Sequence, residues 1–243
     1  ADPGTPLFTE MWTPFLKDFV VHLREKGWLG ITNIAMDERS PETMAHIIKV
    51  MRSAAPELGI ALADNHASYK KYPDVRDICV GINHQHADRA DIEARRARGL
   101  VTTYYVCCSS AWPNTFTFSD PAEATYHAWL AVARDYDGFL RWAVQSWNED
   151  PERDSRFRTW PAGDTYMIYP GARSSMRFEL LRQGVQDAEK IRILRAEFAA
   201  DASPEALGKL GTLEELVAPF AADTPVEGWK SSLHSARALL NEL

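Results

Sequence analysis

Residues 29–38 read Leu-Gly-Ile-Thr-Asn-Ile-Ala-Met-Asp-Glu and predict a buried strand that ends in two adjacent charges. The run 28–36 is mostly apolar, is rich in branched side chains and follows a helix-like run at 15–26, which indicates a strand entered from a helix. Asp37 and Glu38 then precede the next helix start at residues 40–42. Ligands of α/β proteins collect where parallel strands end. The pair is therefore a catalytic candidate, and the alternative is that both carboxylates favour the positive end of the next helix.

The rest of the chain continues this alternation of strands and helices. Apolar spacing predicts further strands at 59–63, 75–82, 101–108, 138–146 and 166–169, and helices at 13–26, 41–55, 88–98, 120–136 and 174–198. Such repetition predicts parallel strands joined by right-handed crossovers, in a (β/α)8 barrel or a doubly wound sheet. No strand is followed by a Gly-x-Gly-x-x-Gly or Gly-Lys-Ser/Thr loop, which disfavours a nucleotide-binding sheet.

We therefore predict an α/β chain of the TIM-barrel type. Polar and aromatic residues follow several strands, as in a barrel site assembled from many loops: Asp37, Glu38, Asn65, His66, His84, Asn114 and Trp147. A closed barrel needs eight strands, and only five or six are visible. Residues 1–243 are thus predicted to be a single partial barrel domain that contains the later strands, with 174–243 as its helical C-terminal portion.

The composition of the chain argues against several classes of partner and cofactor. The 243 residues carry 27 Lys and Arg against 34 Asp and Glu, with a net charge of −7 and no basic run, so nucleic acid is not an expected partner. No apolar run approaches the length of a membrane span. The three cysteines, Cys79, Cys107 and Cys108, match neither a disulfide framework nor metal-ligand spacing. Neither a metal nor another cofactor is predicted.

Residues 163–189 carry a long, position-specific pattern. Gly-Asp-Thr-Tyr at 163–166 leads through Tyr-Pro-Gly at 169–171 to Ser-Met-Arg-Phe-Glu-Leu-Leu-Arg-Gln-Gly-Val-Gln-Asp-Ala-Glu at 175–189. This stretch resembles the signature of glycoside hydrolase family 123 and its uncharacterised relatives, in which Tyr-Pro-Gly leads into Ser-x-Arg-x-Glu-x-Leu-Arg-x-Gly-x-x-Asp-x-Glu. The Asp37-Glu38 strand end is similar to the family's Asp-Glu-Pro, although here Arg39 and Ser40 separate the pair from Pro41.

The resemblance implies an exo-acting glycosidase that hydrolyses N-acetylgalactosaminides with retention, assisted by the substrate's own acetamido group. It implies that Glu38 is the acid and base and that Asp37 holds the acetamido N–H. The expected partners are a glycan or glycoconjugate substrate and an upstream segment that completes the barrel. A periplasmic or secreted location is also expected from the family.

Four further residues are expected to bind the sugar, each with a plainer alternative. Tyr105 and Trp147 would wall the acetamido methyl or stack on the sugar face, and core packing is the alternative. His84 and Asn114 would bind hydroxyls, and ordinary solvated loop residues are the alternative. The charged residues of 175–189 are interpreted as a structural network of ion pairs and caps.

Two other functions remain open at this level. One is a catalytically silent carbohydrate-binding or structural relative that kept the fold. The other is a hydrolase of a sugar without an acetamido group, for which Asp37 would have no N–H to hold.

Overall fold

Helices and strands alternate along the chain in the computed structural model, which describes residues 1–83 and 87–243. The first compact unit, Ala1–Thr102, contains α1 (Pro6–Glu25), β1 (Asn33–Met36), α2 (Pro41–Ala54), β2 (Gly59–Asp64), α3 (Ser68–Lys71), β3 (Asp77–Gly81) and α4 (Arg89–Arg96). The second, Thr103–Leu243, contains α5 (Ala122–Ala133), β5 (Gly138–Arg141), α6 (Met176–Asp201), α7 (Pro204–Val217) and α8 (Trp229–Leu240). The boundary falls within β4 (Val101–Val106).

The strands belong to one five-stranded sheet in the order β1-β2-β3-β4-β5. β2 pairs in parallel with β1 and with β3, and β5 pairs in parallel with β4. A parallel pair needs a crossover of a dozen residues or more, which the intervening helices supply. The predicted α/β class and the predicted order of the strands are confirmed.

The core of the first unit lies between its strands and the helices α1 and α2. In β2 the buried Ile60 and Leu62 alternate with the half-buried Ala61 and Ala63, because successive strand residues face opposite sides. α1 is capped by Thr5, whose hydroxyl accepts a hydrogen bond from the Phe8 amide. The more open face of β2 is thus formed by small side chains.

The core of the second unit is built around α5, whose Trp129 and Leu130 are fully buried. α6 crosses it closely at Gly184, where an added Cβ would lie 2.6 Å from the carbonyl oxygen of Thr125. The Trp129 indole donates to Asp187 across the same interface at 3.0 Å. Gly184 and Asp187 of the signature are therefore helix-packing residues.

Three predicted strands differ from the structure, and the one predicted at 138–146 ends already at Arg141. The strand predicted at 28–36 starts only at Asn33, because 29–31 form a 3-10 turn in which Ile31 N donates to Trp28 O at 3.1 Å. The strand predicted at 166–169 is reduced to two isolated bridges, of Tyr166 with Gln145 and of Tyr169 with Arg173. Apolar and branched residues satisfied the strand pattern, but the backbone at 29–31 bonds within a turn, and the backbone at 166–169 makes only isolated backbone contacts with Val144, Gln145 and Arg173.

Within the described ranges, no helix combines the length and the apolar character that crossing a membrane requires.

Candidate active site

Asp37 and Glu38 lie directly after β1, on the loop that leads to α2, and both side chains are exposed. The cap of α2 is Ser40, whose hydroxyl accepts from the Thr43 amide at 3.2 Å. The two carboxylates therefore stand outside the cap. Their position, at the carboxyl end of a parallel strand, is the one at which α/β proteins gather ligands.

An apolar cavity of about 350 Å3 adjoins this loop inside the first unit. Apolar side chains from α1, β1 and α2 form most of its wall, and Asp37 and Arg39 are its charged members. An apolar wall does not match the hydroxyls of a sugar, which need hydrogen-bonding groups. Asp37 therefore lies where an apolar recess meets the open end of β1.

His84 falls in the segment that lies outside the described residues, so its predicted role stays a prediction. Among the residues that are described, His, Cys, Asp and Glu do not gather in groups of three that would hold a metal ion.

Asn114 is fully buried in the second unit, on the loop between β4 and α5. Its amide nitrogen donates to the carbonyls of Cys107 at 3.0 Å and Ser110 at 2.6 Å. Its side-chain oxygen accepts from the Thr115 amide at 2.8 Å. The backbone amide of Asn114 donates to Glu123 at 2.8 Å, and burial raises the pKa of that carboxyl. The side chain thus holds the loop together and has no surface to offer a ligand.

Arg141, the last residue of β5, forms a buried ion pair with Asp164 at 2.5 Å. The guanidinium also donates to Asn114 Oδ1 at 3.2 Å and to the Val106 carbonyl at 3.3 Å. Burial lowers the pKa of Arg141, and the charge of Asp164 opposes that shift. Sequence reasoning assigned no role to this pair, although an arginine that ends the short apolar strand Gly138–Arg141 was a usable signal.

The two aromatic candidates differ in exposure. Tyr105, on β4, is 6% exposed, and Trp147 is 37% exposed. The Trp147 indole N–H donates to the Ile168 carbonyl at 2.7 Å, which fixes the ring at the surface. Of the two, only Trp147 presents a large area on which a sugar ring could stack.

The signature at the start of α6 is structural in the second unit. Arg177 is buried, and one of its guanidinium nitrogens donates to the carbonyls of Thr115 and of Gly163, the latter at 2.8 Å. Asp187 accepts from Arg237 at 2.6 Å, and Glu179 pairs with Arg182 at 2.6 Å. The interpretation of these charged residues as a structural network is confirmed for Arg177, Asp187 and Glu179.

A model of the family described as "Glycoside hydrolase 123, catalytic domain" matches residues 1–194. The match extends well beyond half of the chain and includes the Asp37-Glu38 loop as well as the signature on α6. The chain belongs to glycoside hydrolase family 123. The resemblance read from the sequence is confirmed, and this family 123 chain carries catalytic-domain sequence.

One solved structure similar to this family 123 chain is described as "The details of glycolipid glycan hydrolysis by the structural analysis of a family 123 glycoside hydrolase from Clostridium perfringens". The TM-score is 0.82 at 26% sequence identity, over 99% of this chain and 45% of that one. This chain therefore spans less than half the length of that solved chain. No curated protein matches.

Proposed function

We propose that this family 123 chain contributes the catalytic carboxylates of a glycoside hydrolase that cleaves N-acetylgalactosaminides with retention. The observation that carries the proposal is the exposed Asp37-Glu38 pair at the carboxyl end of β1. Because the strand ends at Met36, the strict alternation of side chains ends there too. Both carboxylates are then available to one ligand.

The proposed reaction uses the substrate's own 2-acetamido oxygen as nucleophile, which is an exception to the usual pair of enzyme carboxylates. That oxygen forms a bond to the anomeric carbon as the bond to the leaving oxygen breaks, and Glu38 gives its proton to the leaving oxygen. Asp37 accepts a hydrogen bond from the acetamido N–H, where positive charge develops. Water then opens the oxazolinium-like intermediate, and Glu38 recovers the proton.

Binding roles are proposed for the remaining candidates. Trp147 stacks on a face of the sugar, Tyr105 walls the acetamido methyl, and His84 binds hydroxyls. Asn114 is proposed as a positioning residue, since its buried amide holds the carbonyls of Cys107 and Ser110.

The role of Glu38 is tested with two aryl or glycosyl N-acetylgalactosaminides that differ only in the leaving group. Glu38→Gln is expected to cripple cleavage of the oligosaccharide, whose alkoxide leaves poorly without a proton. It should harm the substrate with an acidic phenol much less, because a phenolate departs unaided. Equal losses on the two substrates would reject Glu38 as the acid.

Asp37→Asn should behave differently in the same assay. It removes the charge that stabilises the intermediate, so both substrates should slow by ~10²–10³, as for other preorganised charge stabilisers. Glu42→Gln, in the first turn of α2, is the matched control and should leave both rates unchanged. Full activity of Asp37→Asn would reject substrate assistance, and sugar binding without turnover by the unaltered protein would favour the silent carbohydrate-binding alternative.

We further propose that a strand from polypeptide outside these 243 residues pairs with the free side of β1. β1 is at the end of the strand order and, in the part of the chain that the structure describes, pairs only with β2. The neighbouring α1 exposes Leu7, Met11 and Phe15 by 55%, 56% and 50%. An unpaired strand edge beside exposed apolar side chains invites pairing with another segment.

Hydrogen–deuterium exchange at Ile34 and Ala35 tests this pairing, with and without any polypeptide encoded upstream of residue 1 added as a separate chain. Slower exchange at β1 on addition of that segment is expected, with exchange in α7 as the internal control. Unchanged exchange at β1, or protection that instead rises with the concentration of the 243-residue chain alone, would contradict the proposed occupant.

A further inference from the structure

Cys107 and Cys108 are neighbours in the sequence and lie on the turn that follows β4 in the second unit. Both are free cysteines with partly exposed side chains. The Ser110 amide closes the turn by donating to the Cys107 carbonyl at 3.1 Å. The Asn114 side chain donates to the same carbonyl at 3.0 Å. Two accessible thiols are thus held beside each other on a well-bonded turn.

The two thiols have different surroundings. The Cys107 sulfur lies 3.2 Å from the Ser109 hydroxyl, and it is close enough to Arg141 for a thiolate there to attract the guanidinium charge. Burial raises the pKa of Cys108, and the neighbouring Cys107 thiol raises it further. Because the thiolate is the nucleophilic form of cysteine, Cys107 is the thiol that reacts first. Cys108 remains beside it as a protonated partner.

A metal site is the alternative use of two neighbouring thiols. Structural zinc sites use four protein ligands, and catalytic zinc sites use three. In the part of the chain that the structure describes, no third His, Cys, Asp or Glu joins the pair in a group that would hold a metal ion. Oxidation of thiols to a disulfide needs only two sulfurs, and the pair supplies both.

We propose that Cys107 and Cys108 are a modification site at which hydrogen peroxide converts the two thiols into a disulfide. The Cys107 thiolate attacks one peroxide oxygen, the O–O bond breaks, and a sulfenic acid forms. The released hydroxide takes up the proton that Cys107 gave to solvent and becomes water. The Cys108 sulfur then attacks the Cys107 sulfur, the S–O bond breaks, and the sulfenic oxygen leaves as a second water with the Cys108 proton.

Covalent geometry makes a disulfide between these neighbours easy to reduce. The peptide between Cys107 and Cys108 is trans, which sets their Cα atoms about 3.8 Å apart. Disulfides usually join Cα atoms about 4.4–6.8 Å apart. A bridge between the two residues is therefore strained, and strained or exposed disulfides are the labile and regulatory ones.

The disulfide would also act on the turn. The Cys107 carbonyl belongs to the peptide that the new ring encloses, and it accepts the hydrogen bonds from the Ser110 amide and the Asn114 side chain. Closing the ring changes the direction of this carbonyl, so both bonds should weaken. The loop that Asn114 holds together thereby becomes sensitive to the oxidation state of the pair.

The test treats the fully reduced protein with a small excess of hydrogen peroxide and identifies the products by peptide mass spectrometry. The peptide that contains Cys107 and Cys108 should lose two hydrogens and resist alkylation until dithiothreitol reduces it. Cys107→Ser should slow oxidation of the remaining thiol at least about 10-fold. Cys108→Ser should stop at the sulfenic acid of Cys107, which dimedone traps.

Cys79→Ala is the matched control, since Cys79 is a buried cysteine of β3 in the first unit. It should leave the oxidation of the pair unchanged. In the unaltered protein, hydrogen–deuterium exchange at the Ser110 amide should become about 3- to 10-fold faster on oxidation and return to its original rate on reduction. The double variant Cys107→Ser/Cys108→Ser should show no such response to peroxide.

Three results would overturn the modification site: both thiols still open to alkylation after peroxide, a sulfinic acid on Cys107 without a disulfide, or a disulfide to Cys79 or to a second molecule. Formation of the Cys107–Cys108 disulfide without faster exchange at Ser110 would overturn its effect on the turn. None of these measurements involves Asp37 or Glu38, so the proposed glycosidase function stands or falls separately.

Discussion

The ends of β1 and β5 place carboxylates in opposite environments. After β1, in the first unit, Asp37 and Glu38 are exposed on a short loop. After β5, in the second unit, Asp164 is fully buried and pairs with Arg141, which also binds Asn114 and a strand carbonyl. The carboxylates after β1 are exposed to solvent, whereas the carboxylate of Asp164 after β5 forms an ion pair that stabilises the loops of the second unit.

The comparison separates carboxylates that are available for catalysis from carboxylates that stabilise the fold. An exposed carboxylate exchanges protons with a ligand and water without a large reorganisation of the fold. A buried carboxylate has lost its hydration, and only its partner compensates for that loss. Substitution at the two ends should therefore change different observables.

The largest expected effect is on stability and comes from Asp164→Ala. It leaves Arg141 buried without its partner, so the free energy of unfolding should fall by about 3–5 kcal/mol in urea titrations. The control is Glu57→Ala, which breaks the exposed Arg24–Glu57 pair of the first unit (2.7 Å) and should cost less than about 1 kcal/mol. Asp37→Asn should stay within about 0.5 kcal/mol; a loss as large as that of Asp164→Ala would end the distinction between the two strand ends.

Gly184→Ala tests whether the signature on α6 acts through packing in the second unit. The new Cβ would meet the Thr125 carbonyl oxygen at 2.6 Å and Thr125 Cα at 3.0 Å, and backbone cannot move aside as a flexible side chain does. We expect a loss of about 1–3 kcal/mol, as in other overpacked interiors, measured by thermal and urea unfolding.

Gly208→Ala is its control, because Gly208 lies within α7 and an added Cβ meets nothing within 4 Å. This change should be neutral or should stabilise the protein by up to about 1 kcal/mol. Equal stability of the two alanine variants would contradict the packing role of Gly184.

The last expected effect is a pH slope that arises from His127 in the second unit. Burial lowers the pKa of His127 to about 3, while the unfolded residue titrates near 6.5. As the pH falls below about 6, His127 therefore binds a proton in the unfolded chain but stays neutral in the folded chain. The free energy of unfolding then decreases by up to about 1.4 kcal/mol per pH unit. The buried Glu123 opposes this slope, because its raised pKa favours the folded state in acid.

His127→Gln should flatten the fall in stability between about pH 6 and pH 4, followed by urea unfolding at each pH. His22→Gln, at the exposed surface of α1 in the first unit, should retain the original slope. An unchanged slope in His127→Gln would show that the acid sensitivity lies elsewhere.

The strands were predictable where apolar runs alternate with amphipathic helices, and their order follows from short right-handed connections. The prediction was wrong at 28–32, at 142–146 and at 166–169, where the residue types are typical of a strand but the backbone lies in a turn, in a loop or in isolated bridges. Asn114 was correctly placed after a strand, yet its burial could not be predicted. The spacing of residues in the sequence does not show which polar side chain will donate hydrogen bonds to the surrounding backbone carbonyls.

The sequence by itself determined the α/β class, the strand order, the family and the Asp37-Glu38 loop, because each depends on residue types that lie close together along the chain. The tertiary structure alone decided that Asp164 meets Arg141, that Gly184 lies against Thr125, and that Trp142 and Trp160 share one surface. These contacts join residues 18 to 59 positions apart. Their distances are set by how helices and loops pack, and local sequence preferences do not encode them.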